Sequence, residues 1–76
     1  MGTRDSTISA LKKLGRNIKR ERKKVRLTTE EVASLAGIRI KYYERIEAGS
    51  AKRVTLNMLH AIVKAINIPL ALVFSL

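Results

Sequence analysis

The chain has no cysteine, so no disulfide can brace it and no thiolate can hold a metal. It has one histidine, His60, with no second histidine or clustered carboxylates to work beside it. That argues against a metal centre and against enzyme chemistry, and no cofactor is expected. No apolar run approaches the roughly 20 residues of a bilayer-spanning helix. No apolar stretch follows the first charges as it would in a secretory signal, so a cytoplasmic setting is expected. Acidic residues are scarce as well: 6 Asp and Glu stand against 16 Lys and Arg, a formal net charge of +10 at pH 7. Such a balance draws a polyanionic partner, either nucleic acid or an anionic membrane surface. Repeats, low-complexity tracts and strand-like alternation are missing too.

What is present is helical periodicity in a chain long enough for one small domain. At 76 residues only about 60% of the unfolded surface can be buried, so a second subunit is a common supplement. The reading is an all-α domain of five helices over residues 8–76, preceded by a flexible segment, 1–7. From about Ser6, the residues Ile8, Leu11, Leu14, Ile18, Arg22 and Val25 recur at three- and four-residue steps. Lys12, Lys13, Arg16, Lys19, Arg20, Lys23 and Lys24 cover the other side. Arg22 stands out because it lies on the apolar stripe, where a charge needs a partner.

The second helix opens with a capping box, Thr28 and Glu31, turns Val32, Leu35 and Ala36 inward and ends at Gly37. Ile38 plugs the turn. The third helix runs from about Ile40 to Ala48, with Tyr43 and Ile46 inward, and stops at Gly49. Ser50 to Val54 is a loop. Thr55 caps a fourth helix carrying Leu56, Leu59, Ile62, Val63 and Ile66, and Asn67 suits the left-handed position after it. Pro69 fits the first turn of a short fifth helix in the apolar tail Ile68–Leu76. The charge is uneven: residues 1–26 hold ten Lys or Arg against two acids, and residues 27–76 hold six against four. The tight helix pair lies in the second region, with Ile40, Lys41, Tyr42 and Arg45 on the face its apolar residues leave free.

These residues carry a resemblance. Leu14-Gly15 followed by Ile18 and Arg22, Leu27-Thr28 before Glu31-Val32-Ala33, then Gly37, the aromatic third helix, Ile46-Glu47-x-Gly49 and the closing Leu59, Ile62-Val63 and Ile66 resemble one family. It is the Cro/C1-type helix-turn-helix domain of phage repressors, XRE-like bacterial regulators and restriction–modification controller proteins, and about four-fifths of the chain is covered. The resemblance implies a lambda-repressor-like fold with the helix-turn-helix at helices 2 and 3. It pairs Arg22 with Glu47. It docks helix 3 in the major groove of double-stranded DNA, with Ile40, Lys41, Tyr42 and Arg45 at the bases. Lys41 and Arg45 can donate to guanine O6 and N7, while Ile40 suits a thymine methyl. Phosphate contacts are implied for Thr28 and Thr29 at the start of helix 2, for Arg39, and for Ser50, Lys52 and Arg53 in the following loop.

Three positions depart from that pattern. Arg39 stands at an N-cap where Ser or Thr is usual. Tyr43 replaces a buried aliphatic residue, so its hydroxyl needs a partner. The loop after Gly49 is about one residue longer. A two-fold dimer would read a palindrome with half-sites about 34 Å apart, and its expected interface is Leu70, Leu72, Val73, Phe74 and Leu76. The expected function is a sequence-specific transcriptional regulator acting as a homodimer; the alternative is an antitoxin or restriction–modification controller that binds a partner protein, its own promoter or both. The basic first helix is read as a solvated face, with contact to flanking DNA as its rival.

Overall fold

Helix ends in this chain are set by residues that supply or accept stray backbone hydrogen bonds. The computed structural model describes residues 3–74. It contains α1 (Thr3–Lys24), α2 (Thr29–Ala36), α3 (Ile40–Ala48), α4 (Leu56–Ile66) and a 3₁₀ segment, η1 (Leu70–Phe74). At the start of α2 the Thr28 hydroxyl accepts the Glu31 amide at 3.0 Å, and the Glu31 carboxylate accepts the Thr28 amide at 2.8 Å. Thr55 caps α4 through the Met58 amide at 3.1 Å. Each such cap contributes about 1 kcal/mol. All four helices are followed by a left-handed residue: Arg26, Gly37, Gly49 and Asn67. Arg26 takes this conformation without glycine's freedom or a short polar side chain, and nothing in the residue pattern signals it.

Among the described residues, four α-helices and a 3₁₀ segment are found where five helices were expected. The nearly all-apolar segment after Asn67 reads as a short helix from Pro69, but Leu70–Phe74 forms a single 3₁₀ run. So short a segment gains too few hydrogen bonds to support an α-helix alone. Its carbonyls are held from outside, since Asn17 Nδ2 donates to Val73 O at 2.9 Å and Arg20 Nη2 to Leu72 O at 3.5 Å. The first helix also differs from expectation: it already runs from Thr3, and it ends before Val25, which is exposed.

The core is shared by all elements: Ile18 from α1, Val32 from α2, Tyr43 and Ile46 from α3, Ile62 and Ile66 from α4, and Val73 from η1. Burying one such aliphatic side chain contributes roughly 1.5–3 kcal/mol. Some residues expected on inward faces are not there: Ile8, on the apolar stripe of α1, is 46% exposed. Leu35 and Leu56 are each 66% exposed. α2 packs on its neighbours through Val32, Ala33 and Ala36, and Leu35 falls on the edge of that face with nothing to cover it. Leu56 opens α4, in the turn before its buried face begins with Leu59.

The buried face of α1 is more polar than its apolar stripe suggests. Asn17, Glu21 and Arg22 are all buried. Glu21 accepts from Arg20 at 3.1 Å and from Lys24 at 3.3 Å. The Arg20 donor foremost holds the Glu21 carboxyl below the usual range, opposed by burial and assisted by Lys24. Among the described residues, no helix is long and apolar enough to cross a membrane.

Candidate nucleic-acid interface

The C-terminal end of α3 is held in three ways. Glu47, 9% exposed, receives Arg22 side-on: Nε donates to Oε2 at 2.6 Å and Nη2 to Oε1 at 3.1 Å. The third nitrogen, Nη1, donates to Leu27 O at 2.7 Å, which ties the same guanidinium to the segment leading into α2. The Tyr43 hydroxyl donates to Glu47 Oε2 from one turn earlier, so it has the partner its burial requires. Burial, then the bond to Glu47, pushes the Tyr43 phenol above its ordinary range, and the Glu47 carboxylate raises Arg22 likewise. No buried side-chain polar atom among the described residues lacks a partner. Removing one member of such a pair strands the other and costs about 3–5 kcal/mol.

The second hold is steric. Gly15 on α1 approaches the last turn of α3 so closely that a Cβ there would lie 2.4 Å from the carbonyl oxygens of Ile46 and Glu47. The third is Gly49, the left-handed residue that ends α3 (φ 76°). A Cβ on it would meet the Lys12 Cα at 2.7 Å. Gly15 matched the family pattern in sequence, but its role as a crossing point could not be read without knowing which helices cross.

The other end of α3 is open. Arg39 occupies the N-cap with no side-chain hydrogen bond. Lys41 and Arg45, one turn apart, are exposed and face away from the buried side made by Tyr43, Ile46 and Glu47. Ile40 is half-buried on one flank, packed against the core edge. Arg39, Ile40, Lys41, Tyr42 and Arg45 together line a shallow concavity. Glu44 is also exposed on this helix. It was not among the expected contact residues, although it lies one turn from Ile40; a carboxylate there can accept from cytosine N4.

Tyr42 has a second attachment. It is half-buried, and its hydroxyl donates to the Arg53 carbonyl in the loop after α3. Its ring therefore links the outward face of α3 to that loop, where Ala51 is buried while Ser50, Lys52 and Arg53 are exposed. The Ser50 amide is taken by Arg45 O at 2.9 Å, leaving its side chain for outside contacts. At the start of α2 the Thr28 amide and hydroxyl oxygen are both engaged in the cap. The Thr28 hydroxyl keeps a proton to donate, and Thr29 is half-buried beside it. Glu30 and Glu31 place two carboxylates in the same turn, which limits how strongly an anion is drawn there.

The tail residues expected at a dimer interface divide by burial. Val73 is fully buried in the chain's own core, and Leu70 is half-buried against it. Leu72 and Phe74 remain exposed, Phe74 at 55%. Leu76 lies outside the described residues.

Two short helices joined at a glycine turn, the second clamped from behind and cationic in front, define a helix-turn-helix protein. The sequence model of the helix-turn-helix domain matches residues 13–76, and the chain belongs to this DNA-binding family. A comparison with curated proteins finds no match.

Proposed function

We propose that the chain is a sequence-specific regulator of transcription of the Cro/C1, XRE-like kind. It inserts α3 in the major groove of double-stranded DNA. The observation that carries this reading is the pairing of an outward Lys41–Arg45 face with a rigid buried clamp at the other end of the same helix. A helix that reads base edges must be held to a fraction of an ångström, and the Arg22–Glu47–Tyr43 network with the Gly15 crossing supports that. Lys41, Arg45 and Ile40 meet base edges. Tyr42 serves mainly by positioning the loop and contacts DNA from its flank. Ser50, Lys52, Arg53 and Arg39 take phosphate, with Thr28 and Thr29 as a weaker second anchor.

The regulator works as a homodimer on a palindrome, in the cytoplasm of a bacterium or in a cell infected by a phage that encodes it. Among the described residues of the tail, Leu72 and Phe74 are the exposed large apolar side chains, and they meet the second copy. Repression of a promoter is the expected outcome. The antitoxin or controller alternative uses the same reading face and adds a protein partner. A pull-down with the products of neighbouring genes separates the two.

The test is selection of duplexes from a randomised pool, followed by footprinting on those recovered. A recovered palindrome with protected half-sites about one helical turn apart supports the reading. Equal affinity for recovered and random duplexes overturns it.

A further inference from the structure

The basic surface of α1 divides into two rows with different surroundings. Lys13, Arg20 and Lys24 lie on the border of α1 that faces η1, and charge there is partly compensated. Arg20 and Lys24 both bond the Glu21 carboxylate, and Arg20 also bonds Asn17 Oδ1 at 2.9 Å and the Leu72 carbonyl. Lys12, Arg16, Lys19 and Lys23 recur at four- and three-residue steps along the other border, next to the Gly15–Arg22 line that packs on α3. All four are exposed, and among the described residues none has an ion pair or side-chain hydrogen bond.

This second row begins where the loop after α3 begins. The Lys12 Cα and Cγ press on Gly49, at 2.7 and 2.8 Å from where its Cβ would stand. Ser50 follows at once, and Lys52 and Arg53 come two and three residues later. α1 also extends beyond the shared domain: it starts at Thr3, whereas the family match starts at residue 13. From Lys12 to Lys23 the row is about 16 Å long at 1.5 Å per residue. Duplex DNA carries about one charge per 1.7 Å of axis, so a strip of that length faces several phosphates.

We infer that Lys12, Arg16, Lys19 and Lys23 form a second phosphate-binding strip, continuous with the 50–53 loop, that holds the DNA backbone flanking each half-site. The inference rests on the proposed docking of α3, and it gives the basic helix a contact role in place of a solvated one. Compensation by Glu21 confines that role to the border nearest α3, and the η1-side row contributes only long-range attraction.

The experiment compares two double variants of equal net charge, Lys12→Gln/Lys19→Gln and Lys13→Gln/Lys24→Gln. Affinity is measured over a salt series on a selected duplex and on a random one. Each lost phosphate contact flattens the slope of log K against log salt by about 0.9. The α3-side variant is expected to lose about two such steps per protomer on both duplexes, and the η1-side variant close to none. Phosphate-ethylation interference on the selected duplex should lose positions outside those attributed to the loop in the first variant only. Equal slopes for the two variants, changed or unchanged, overturn the strip. The random-duplex slope does not depend on base reading, so absence of sequence preference in the parent protein would reject the α3 docking by a separate result.

Discussion

At its C-terminal end α3 is gripped by a bidentate buried ion pair, a tyrosine bond and two glycine contacts; at its N-terminal end it has an uncapped arginine and a row of exposed side chains. The residues at the two ends answer different demands. The buried end fixes where the helix sits, and its parts are mutually dependent, so loss of any one should be felt as stability. The open end is free to vary chemically, and changes there should be felt as recognition. On the proposed docking, position and reading are thus separated within nine residues of one helix.

Removing Glu47 should break this division most severely. Glu47→Ala strands the Arg22 guanidinium at 8% exposure, and a loss of about 3–5 kcal/mol is expected in urea unfolding. Tyr43→Phe removes one bond to the same carboxylate and should cost about 1.5–3 kcal/mol, the range for hydrogen bonds to charged groups. It should also change the alkaline limb. The folded phenol is raised by burial and by Glu47, while an unfolded tyrosine ionises near pH 10. The stability it supplies is therefore complete below about pH 10 and is lost as pH rises above it. The Phe variant should lack that part of the decline when unfolding is followed from pH 9 to 12.

Gly15→Ala sharpens the comparison through its sign. In an open helix interior the change would stabilise by about 0.5–1 kcal/mol. Against the Ile46 and Glu47 carbonyls it should destabilise by about 1–3 kcal/mol in the same assay. The smallest stability effect belongs to the open end. Arg39→Ser supplies the missing cap and should stabilise by about 0.5–1 kcal/mol. The same change should weaken binding to selected and random duplexes alike.

Much of this was legible because the relevant chemistry is local. Thr28 with Glu31, Thr55, Gly37, Gly49 and Asn67 mark helix ends through bonds within a few residues, and each is found in that role. Arg22 could be read as needing a partner from its place on an apolar stripe, and the family pattern supplied Glu47. What could not be read depends on which elements meet. The burial of Asn17 follows from the tail crossing α1, and Val73 is enclosed for the same reason. Leu35 looks like a core residue because an eight-residue helix has little room to show which side lacks a neighbour. The split of the basic helix into a compensated and an uncompensated row rests on Glu21, a residue that periodicity alone places without interpreting.

The separation of position from reading is tested most directly at Arg45, the exposed residue two positions before the clamp. Binding of Arg45→Ala to the selected duplex and to single-base variants of it should be measured beside its urea unfolding. The expected result is a stability within about 0.5 kcal/mol of the parent and a loss of about 1–3 kcal/mol of discrimination at one base position per half-site. Unchanged discrimination at every position, or destabilisation as large as that of Glu47→Ala, would contradict the account.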